Sequence, residues 1–392
     1  MEATGKKNII LATLIAMVFL FNPICMGMNL IFPDIVNFGD RFIILLLIAG
    51  ILCCFPKIKI YLGTFLLCIS ILILMLASYV YRGFSPIILD LLKNYVVWGI
   101  VITFFMMQPY NKETFVKVAY VISFIVIVVD LTVNTNVEYS SMTWSYSVFP
   151  CLAVMMIHFI YFRFRSVLGK LSYIPGFLIL IKFLIGANRG GFFSLAFLFY
   201  FIISKKVISR TDKVKNRTIV SVIILILVVF VALNFEEIVF ALYNMLAKAD
   251  IDITSIDKMY RLIMSNNLTN NRTELYAFAW DGFLESPLFG KGIGAFSINY
   301  GGWTHNFILQ ILYEGGILLF SLIMIPMGRV VGLFIGDHDV SVEDYAMFTL
   351  FFCTSIPKLL FSTELWRTQG FWMLFVFGLM VLRMRKCNKV IK

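Results

Sequence analysis

The sequence predicts an all-α polytopic membrane protein with about twelve transmembrane helices and one long, partly helical extracytoplasmic loop. Composition is the first reason: 60% of the 392 residues are hydrophobic and only 14% are charged, whereas soluble domains carry about 25% charged residues. The second reason is that the apolar residues are gathered into long runs. The third is a single long interruption of these runs, in which the stretch 271–316 is mostly polar and Gly-rich.

The apolar runs define the predicted spans, since a helix needs about 20 mainly apolar residues to cross a bilayer. The first run contains Pro23, which predicts a kink. The runs are centred in 8–32, 41–56, 60–80, 87–107, 115–132, 144–162, 171–187, 190–204, 218–234, 305–327, 343–361 and 369–384. The chain then has three parts: 1–234 with nine spans, the loop 235–304, and 305–392 with three spans and a basic tail.

The distribution of Lys and Arg predicts the orientation, because short cytoplasmic loops carry an excess of both. These residues gather at alternate ends of the predicted spans, most densely in 205–217 and 383–392. Both termini are therefore predicted to be cytoplasmic, and the loop 235–304 to be extracytoplasmic. The net charge of +11 has the same explanation, so it does not indicate a nucleic-acid partner.

The long loop and the cysteines exclude several other kinds of site. Apolar residues recur at helical spacing in 238–249, 256–264 and 275–284, which predicts short surface helices rather than a separate domain. The Gly-rich stretch 290–294 is predicted to face outward, where nucleotides are scarce, so it is interpreted as flexible turns. The seven cysteines show no metal-ligand spacing, and neither a metal nor a disulfide framework is expected.

Cations at the predicted outer ends of spans form the first candidate site. Arg189 lies beside glycines at a span junction, and Lys182 shares its helix face seven residues earlier. Arg82 and Arg367 lie at other outer ends. Such a group of cations would suit an anion at the outer interface, for example a lipid-linked diphosphate. The alternative is that each side chain extends to lipid headgroups.

His305 is the second candidate, at the outer start of a predicted span. A neutral imidazole there can accept a proton from a hydroxyl near neutral pH, and a simple capping role is the alternative. Asn306, Gln310 and Glu314 follow at four-residue spacing and form a polar stripe on one helix face. The stripe faces either a cavity or a partner helix. Gly315-Gly316 then offers a possible break in the helix.

Several short motifs occur in an order that resembles one family. Asn188-Arg189-Gly190-Gly191 comes first, and Asn271-Arg272 follows in the long loop. The later motifs are Glu285-Ser286-Pro287-Leu288-Phe289-Gly290-Lys291-Gly292-Ile293-Gly294, His305-Asn306-Phe307-Ile308-Leu309-Gln310 and Tyr313-Glu314-Gly315-Gly316. In order, spacing and predicted sidedness, these motifs resemble the O-antigen polymerase and O-antigen ligase superfamily of bacterial envelope glycosyltransferases. The resemblance covers roughly 175–330, and the flanking spans match only in hydropathy and number.

The resemblance implies glycosyl transfer without a metal or another cofactor at the outer face of the bacterial inner membrane. The implied donor is a glycan on undecaprenyl diphosphate. Arg189 and Arg272 would bind the donor diphosphate, and His305 would orient or deprotonate the acceptor hydroxyl. The remaining candidates for substrate binding are Lys182, Asn188, Asn306, Gln310, Glu314, Arg82 and Arg367.

Two functions from this superfamily and one from another class are compatible with the sequence. A polymerase, which joins lipid-linked repeat units into O-antigen or a capsule-like polysaccharide, is favoured. A ligase, which transfers the glycan to lipid A-core, is the first alternative. A lipid-linked glycan flippase or other transporter is the second. Expected partners are the undecaprenyl-diphosphate-linked oligosaccharide, the lipid bilayer, a chain-length regulator and a flippase.

Overall fold

The computed structural model describes ten stretches of the chain. They are residues 2–34, 38–54, 58–133, 141–162, 167–186, 189–208, 235–248, 254–265, 272–336 and 340–390. Within these ranges the chain forms helices and connecting turns, and no strand.

The helices are numbered here in chain order. They are α1 (Glu2–Phe19), α2 (Phe21–Ile31), α3 (Phe38–Cys54), α4 (Leu62–Tyr81), α5 (Pro86–Met107), α6 (Lys112–Val133), α7 (Ser141–Ile157), α8 (Val167–Leu171), α9 (Tyr173–Gly186), α10 (Arg189–Ile208), α11 (Phe235–Lys248), α12 (Thr254–Met264), α13 (Arg272–Glu285), α14 (Ala295–Tyr300), α15 (Phe307–Gly336), α16 (Val342–Phe361) and α17 (Gln369–Val390). A π-helical stretch, Tyr95–Val101, lies inside α5, another, His158–Phe162, follows α7, and a 3-10 turn, Leu365–Arg367, precedes α17.

A helix lies at every predicted span except 218–234, which falls outside the described residues. Five of the described helices are long and apolar enough to cross a membrane, or six if α1 and α2 are one bent span. The chain is thus an all-helical polytopic membrane protein, but twelve spans are not seen. Helices α3 and α9 have only 17 and 14 residues, fewer than the roughly 20 that a span needs. Helix α16 is not among the five, and it carries three charged residues, Glu343, Asp344 and Lys358.

The first predicted span is kinked, as Pro23 predicts. Helices α1 and α2 meet at an angle of 70°, and Leu20 between them has φ −93° and ψ 20°. Proline lacks an N–H group, and its ring collides with the carbonyl four residues earlier in a continuous helix. For Pro23 that carbonyl belongs to Phe19, the last residue of α1. The break therefore falls at Leu20, just before the proline.

The described part of the long loop is largely helical, as the apolar spacing predicts. Helices α11 and α12 pack together, with the rings of Tyr243 and Tyr260 stacked 3.9 Å apart. Helices α13 and α14 pack on α15 through a small cluster that contains Leu275, Phe296 and Tyr313.

Helix α15 is broken at Gly316, which has φ 60° and ψ −160°. This confirms the break predicted at Gly315-Gly316. A break inside an apolar bundle leaves backbone groups without helical partners, and each must find another partner. The segment 287–292 supplies these partners. The N–H groups of Ile317 and Leu318 donate to the carbonyls of Pro287 (2.8 Å) and Leu288 (3.3 Å).

The same segment also donates hydrogen bonds to the other side of the break. The N–H of Lys291 donates to the carbonyl of Tyr313 (2.8 Å), and that of Gly292 donates to the carbonyl of Glu314 (2.9 Å). Two glycines permit this close approach. A Cβ atom on Gly316 would lie 2.5 Å from the backbone of Leu288, and one on Gly290 would collide with the backbone of Glu314 and Gly315.

Cross-helix contacts show which helix ends lie together. The hydroxyl groups of Tyr146 in α7 and Ser362 after α16 are 2.6 Å apart, and Arg82 after α4 reaches Asn299 in α14. The backbone of Ser362 also contacts His305, so we refer to this end of the bundle as the His305 end. At the other end, Lys112 pairs with Asp344 (2.5 Å).

The interlocked glycines predict a sensitive position. We expect Gly316→Ala to lower the free energy of unfolding by about 2 kcal/mol or more, because the side chain would meet both an unfavourable φ/ψ region and the Leu288 backbone. Gly332→Ala is the matched control in the same helix, since nothing lies within 4 Å of its built Cβ atom. It should be neutral or stabilising by up to about 1 kcal/mol. Thermal unfolding in detergent compares the two, and equal Tm values would contradict the interlock.

Candidate functional site

His305 lies in the short turn that enters α15 and adopts φ 53°. Left-handed backbone is unusual for a residue with a side chain. Two neighbours hold the turn in shape: the Thr304 hydroxyl donates to the carbonyl of Asn306 (2.9 Å) and accepts from its N–H (3.3 Å). The Asn306 amide oxygen then caps α15 by accepting from the N–H groups of Ile308 (3.0 Å) and Leu309 (3.3 Å). Asn306 is thus a helix cap beside His305, and its contact with substrate stays a prediction.

Three neighbours set the state of the His305 imidazole. The indole N–H of Trp303 donates to His305 Nδ1 (3.1 Å), so that the ring proton of the neutral form lies on Nε2. Burial lowers the pKa of His305, and the positive charge of Arg272 lowers it further, whereas a hydrogen bond to the backbone of Ser362 raises it. The net direction is downward. The imidazole is therefore neutral near pH 7, the state in which it can accept a proton.

Arg272 is brought to His305 by the fold. It is the first residue of α13, which packs on α15, and its charge acts on the imidazole. Among the residues that the structure describes, no carboxylate pairs with its guanidinium group. The guanidinium group therefore remains available for an anionic ligand.

Arg189 is the first residue of α10, and Asn188 lies outside the described residues. The neighbouring Gly190 shows that the start of α10 packs closely against Tyr146 in α7. A Cβ atom on Gly190 would collide with the hydroxyl of Tyr146, which is hydrogen bonded to Ser362. Ser362 also contacts His305 through its backbone. The backbone at the start of α10 is thus linked to His305 through two residues.

Gln310 and Glu314 are buried, and both bind the 3-10 turn before α17. The amide oxygen of Gln310 accepts from the N–H of Leu365 (3.0 Å). The Glu314 carboxylate accepts from the indole N–H of Trp366 (2.8 Å) and also interacts with the backbone of Gly294. Both interpretations of the polar stripe hold in part: Gln310 and Glu314 form interhelical hydrogen bonds, and Glu314 also lines a cavity between α4 and α15.

The other predicted cations have partners within the protein. Lys182 pairs with the buried carboxylate of Asp130 (2.8 Å), which also accepts from Trp144 (2.9 Å). Arg367 pairs with Asp90 (2.7 Å) and Glu364 (2.5 Å). Burial raises the pKa of Glu364 to about 7, while Arg367 opposes this shift and Asp90 adds to it.

Arg82 binds the Gly-rich segment instead of a carboxylate. It donates to the carbonyl of Lys291 (2.8 Å) and to the side chain of Asn299 (3.2 Å). It also lines a cavity of about 890 Å³ between α4 and the broken part of α15. The cavity walls are mostly apolar, and Arg82 and Lys291 are the cations that line it.

The residues around His305 that the sequence does not single out are Trp303, Tyr146 and Ser362. Trp303 is only two residues from His305, but the helical spacing that reveals Gln310 and Glu314 does not extend into this turn. Tyr146 and Ser362 come from distant parts of the chain. Within the described ranges, no group of three or more His, Cys, Asp or Glu side chains could hold a metal ion.

A family model described as O-Antigen ligase matches residues 174–324, a range that contains Arg189, Arg272 and His305 but neither Arg82 nor Arg367. No curated protein and no solved structure matches the chain. Over residues 174–324, the chain therefore carries a domain of the O-antigen ligase and polymerase family, whose enzymes transfer glycans.

Proposed function

We propose that this protein polymerises undecaprenyl-diphosphate-linked oligosaccharide repeat units into O-antigen or a capsule-like polysaccharide. The observation that carries the proposal is that the fold brings Arg272 near His305, where the guanidinium charge helps to lower the pKa of the imidazole. Arg272 would be the fixed cation that binds the donor, and His305 the neutral base that acts on the acceptor. The family match over residues 174–324 supports glycan transfer, and the polymerase is our choice within it.

The two arginines suit a diphosphate leaving group. Arg189 and Arg272 are the first residues of α10 and α13, where the helix dipole is positive and free N–H groups favour an anion. A guanidinium group adds two parallel hydrogen-bond donors to a phosphate. Diphosphate leaves with its bonding electrons as the new glycosidic bond forms, so the site mainly needs to stabilise developing negative charge.

His305 supplies the other half of the chemistry. We propose that it orients the acceptor hydroxyl or accepts its proton as that oxygen attacks the anomeric carbon of the donor. Nδ1 is the nitrogen without a proton, and Trp303 now donates to it. In this role the Trp303 indole would yield its place on Nδ1 to the acceptor hydroxyl.

The membrane arrangement follows from the charge distribution. Lys and Arg gather at alternate ends of the predicted spans, which favours cytoplasmic termini and, for the opposite ends with His305, the outer face of the bacterial inner membrane. At that face the sugar arrives already activated on its lipid, so no nucleotide is needed. About twelve spans remain our proposal for the complete chain.

The ligase is the second candidate function, since the matching family model is described as O-Antigen ligase. Both activities would use the same donor and differ in the acceptor. Purified protein mixed with labelled lipid-linked repeat units alone should form a ladder of products if it is a polymerase. Product that appears only after lipid A-core is added would make it a ligase. Labelled repeat units that form neither product but cross the membrane of vesicles containing the protein would favour a transporter.

The three site residues should be required for product. We expect Arg189→Ala, Arg272→Ala and His305→Ala each to reduce product formation by about 10²-fold or more, as is typical for removing a charge stabiliser or a general base. Arg→Lys should recover little, since lysine cannot bind phosphate with two parallel donors. Arg329→Ala is the matched control, because Arg329 is exposed in the distal half of α15. Wild-type product length in all three variants would exclude this site.

The charge of Arg272 should be measurable on His305 itself. The positive charge disfavours imidazolium, so Arg272→Gln should raise the pKa of His305 toward its ordinary value. NMR of protein with labelled histidine can follow this, since the chain has only three histidines and His305→Ala identifies the signal. Arg261→Gln is the control, as Arg261 pairs with Asp257 elsewhere in the loop (2.9 Å). An unchanged or lower pKa of His305 in Arg272→Gln would contradict this effect of the Arg272 charge.

A further inference from the structure

A second cavity lies at the His305 end, between α2, α7 and α16, with a volume of about 430 Å³. This is within the usual range for small-molecule sites, about 300–1,000 Å³. Its walls combine amides, hydroxyls and two indole rings with a single cation. Of the described residues that line it, none is Asp or Glu.

Helix α2 provides the amide groups of this cavity. Asn22 and Asn29 are seven residues apart in α2 and both line the cavity, as expected for residues on one helix face. The 70° break at Leu20 separates this short helix from the direction of α1. Neither amide has a hydrogen-bond partner among the residues that the structure describes. Each amide offers donors and acceptors, which is what the hydroxyl groups of a sugar require.

Two indole rings complete the wall. Trp144 is buried, and Trp303 is 41% exposed. An indole presents a broad apolar face with a single polar edge. The apolar face of a sugar ring packs against such a surface while its hydroxyl groups remain free for the amides.

Lys358 is the cation of the cavity. Its ammonium group lies 5.5 Å from the centre of the Tyr146 ring, and no carboxylate pairs with it in the described part of the chain. A half-buried ammonium group without a counter-charge is unfavourable. A ligand with a negative charge would remove that penalty and form a charge-assisted hydrogen bond.

The cavity also adjoins the proposed base. Trp303 lines it and donates to His305, while Ser362 lines it and contacts the imidazole through its backbone. A sugar held here would therefore place its neighbouring unit close to His305. That is the position of the acceptor, whose hydroxyl group the base activates.

We propose that this cavity is an acceptor-glycan subsite and that Lys358 makes it select a sugar that carries a carboxylate, such as a uronic acid. This inference rests on the proposed glycan transfer and names a substrate class for it. Lys358 binds the carboxylate, the α2 amides bind ring hydroxyls, and the exposed indole ring of Trp303 packs on the sugar face, with the buried Trp144 behind the cavity wall.

Two small probes that differ only at one carbon test the proposal. Methyl β-glucuronide carries a carboxylate where methyl β-glucoside carries a hydroxymethyl group. We expect saturation-transfer NMR on the full-length protein in nanodiscs to show about tenfold tighter binding of the glucuronide. Lys358→Gln should remove this preference, and Lys358→Arg should retain it. The double variant Asn22→Leu, Asn29→Leu should weaken binding of both probes.

Lys93→Gln is the matched control, because it removes one exposed lysine from the same end of the bundle. It should leave both affinities unchanged. Equal binding of the two probes by the wild-type protein, no binding of either, or a preference that survives Lys358→Gln would overturn the proposal. Inorganic diphosphate is the third probe: if it binds through Lys358 and the glucuronide does not, the cavity serves the donor diphosphate and the subsite is excluded.

These measurements need no turnover, so the two proposals fail separately. A protein that transfers glycan but shows none of the expected probe binding disproves the subsite alone. A protein that transfers no glycan to either acceptor disproves the proposed function, whatever binds in the cavity.

Discussion

The break in α15 is the constraint on which the His305 end depends. Four backbone groups around Gly316 lose their helical partners, and all four bind the segment 287–292. An apolar bundle offers no water to such groups, so the segment and the break require each other. Once joined, they fix the start of α15, where Asn306 caps the helix and His305 enters it. They also present Lys291, whose carbonyl receives Arg82 and so ties α4 to the same structure. The Gly-rich stretch therefore supplies the hydrogen bonds that the broken helix lacks, and Gly290 permits the close backbone contact.

The polar stripe below His305 extends this role to the neighbouring helices. Gln310 and Glu314 bind the backbone of Leu365 and the indole of Trp366, which places the turn before α17 against α15. The connection after α16 is thereby held near His305, including Ser362, whose backbone interacts with the imidazole. Polar residues inside a membrane protein often mark a pathway or a site. Here Gln310 and Glu314 position the backbone that surrounds His305, and Glu314 also lines the cavity beside α4.

Much of the fold and of the candidate site could be predicted from the sequence. The predictions that fail share one cause, which is dependence on residues far apart in the chain. Apolar spacing predicts the helices, and Gly315-Gly316 predicts the break, because both depend on neighbours within a few residues. Spacing predicts that Lys182 and Arg189 share a helix face, but this is wrong, because Lys182 lies in α9 and Arg189 begins α10. Spacing also cannot show which side chain pairs with Lys182. Lys182 pairs with Asp130, 52 residues earlier. No residue pattern around Asp130 predicts that its carboxylate faces Lys182. The predicted number of spans exceeds the number seen among the described helices for a related reason: α9, with 14 residues, has the composition of a span without its length.

The cations at the His305 end therefore divide into two groups that composition alone cannot separate. Lys182 and Arg367 are paired with carboxylates, and Arg82 with a backbone carbonyl and an amide, so their charges are used to hold helices together. Arg272 and Lys358 have no such partner in the described ranges. A buried or half-buried cation without a counter-charge is unfavourable in the empty protein, and that penalty becomes binding energy when an anion arrives. A transferase with two anionic substrates, a diphosphate donor and an acidic acceptor, would need one such cation on each side of its base. The charge of Arg272 acts on His305 itself, and Lys358 is bonded through its carbonyl to Ser362, whose backbone contacts His305. Among the described residues, neither cation has a carboxylate partner.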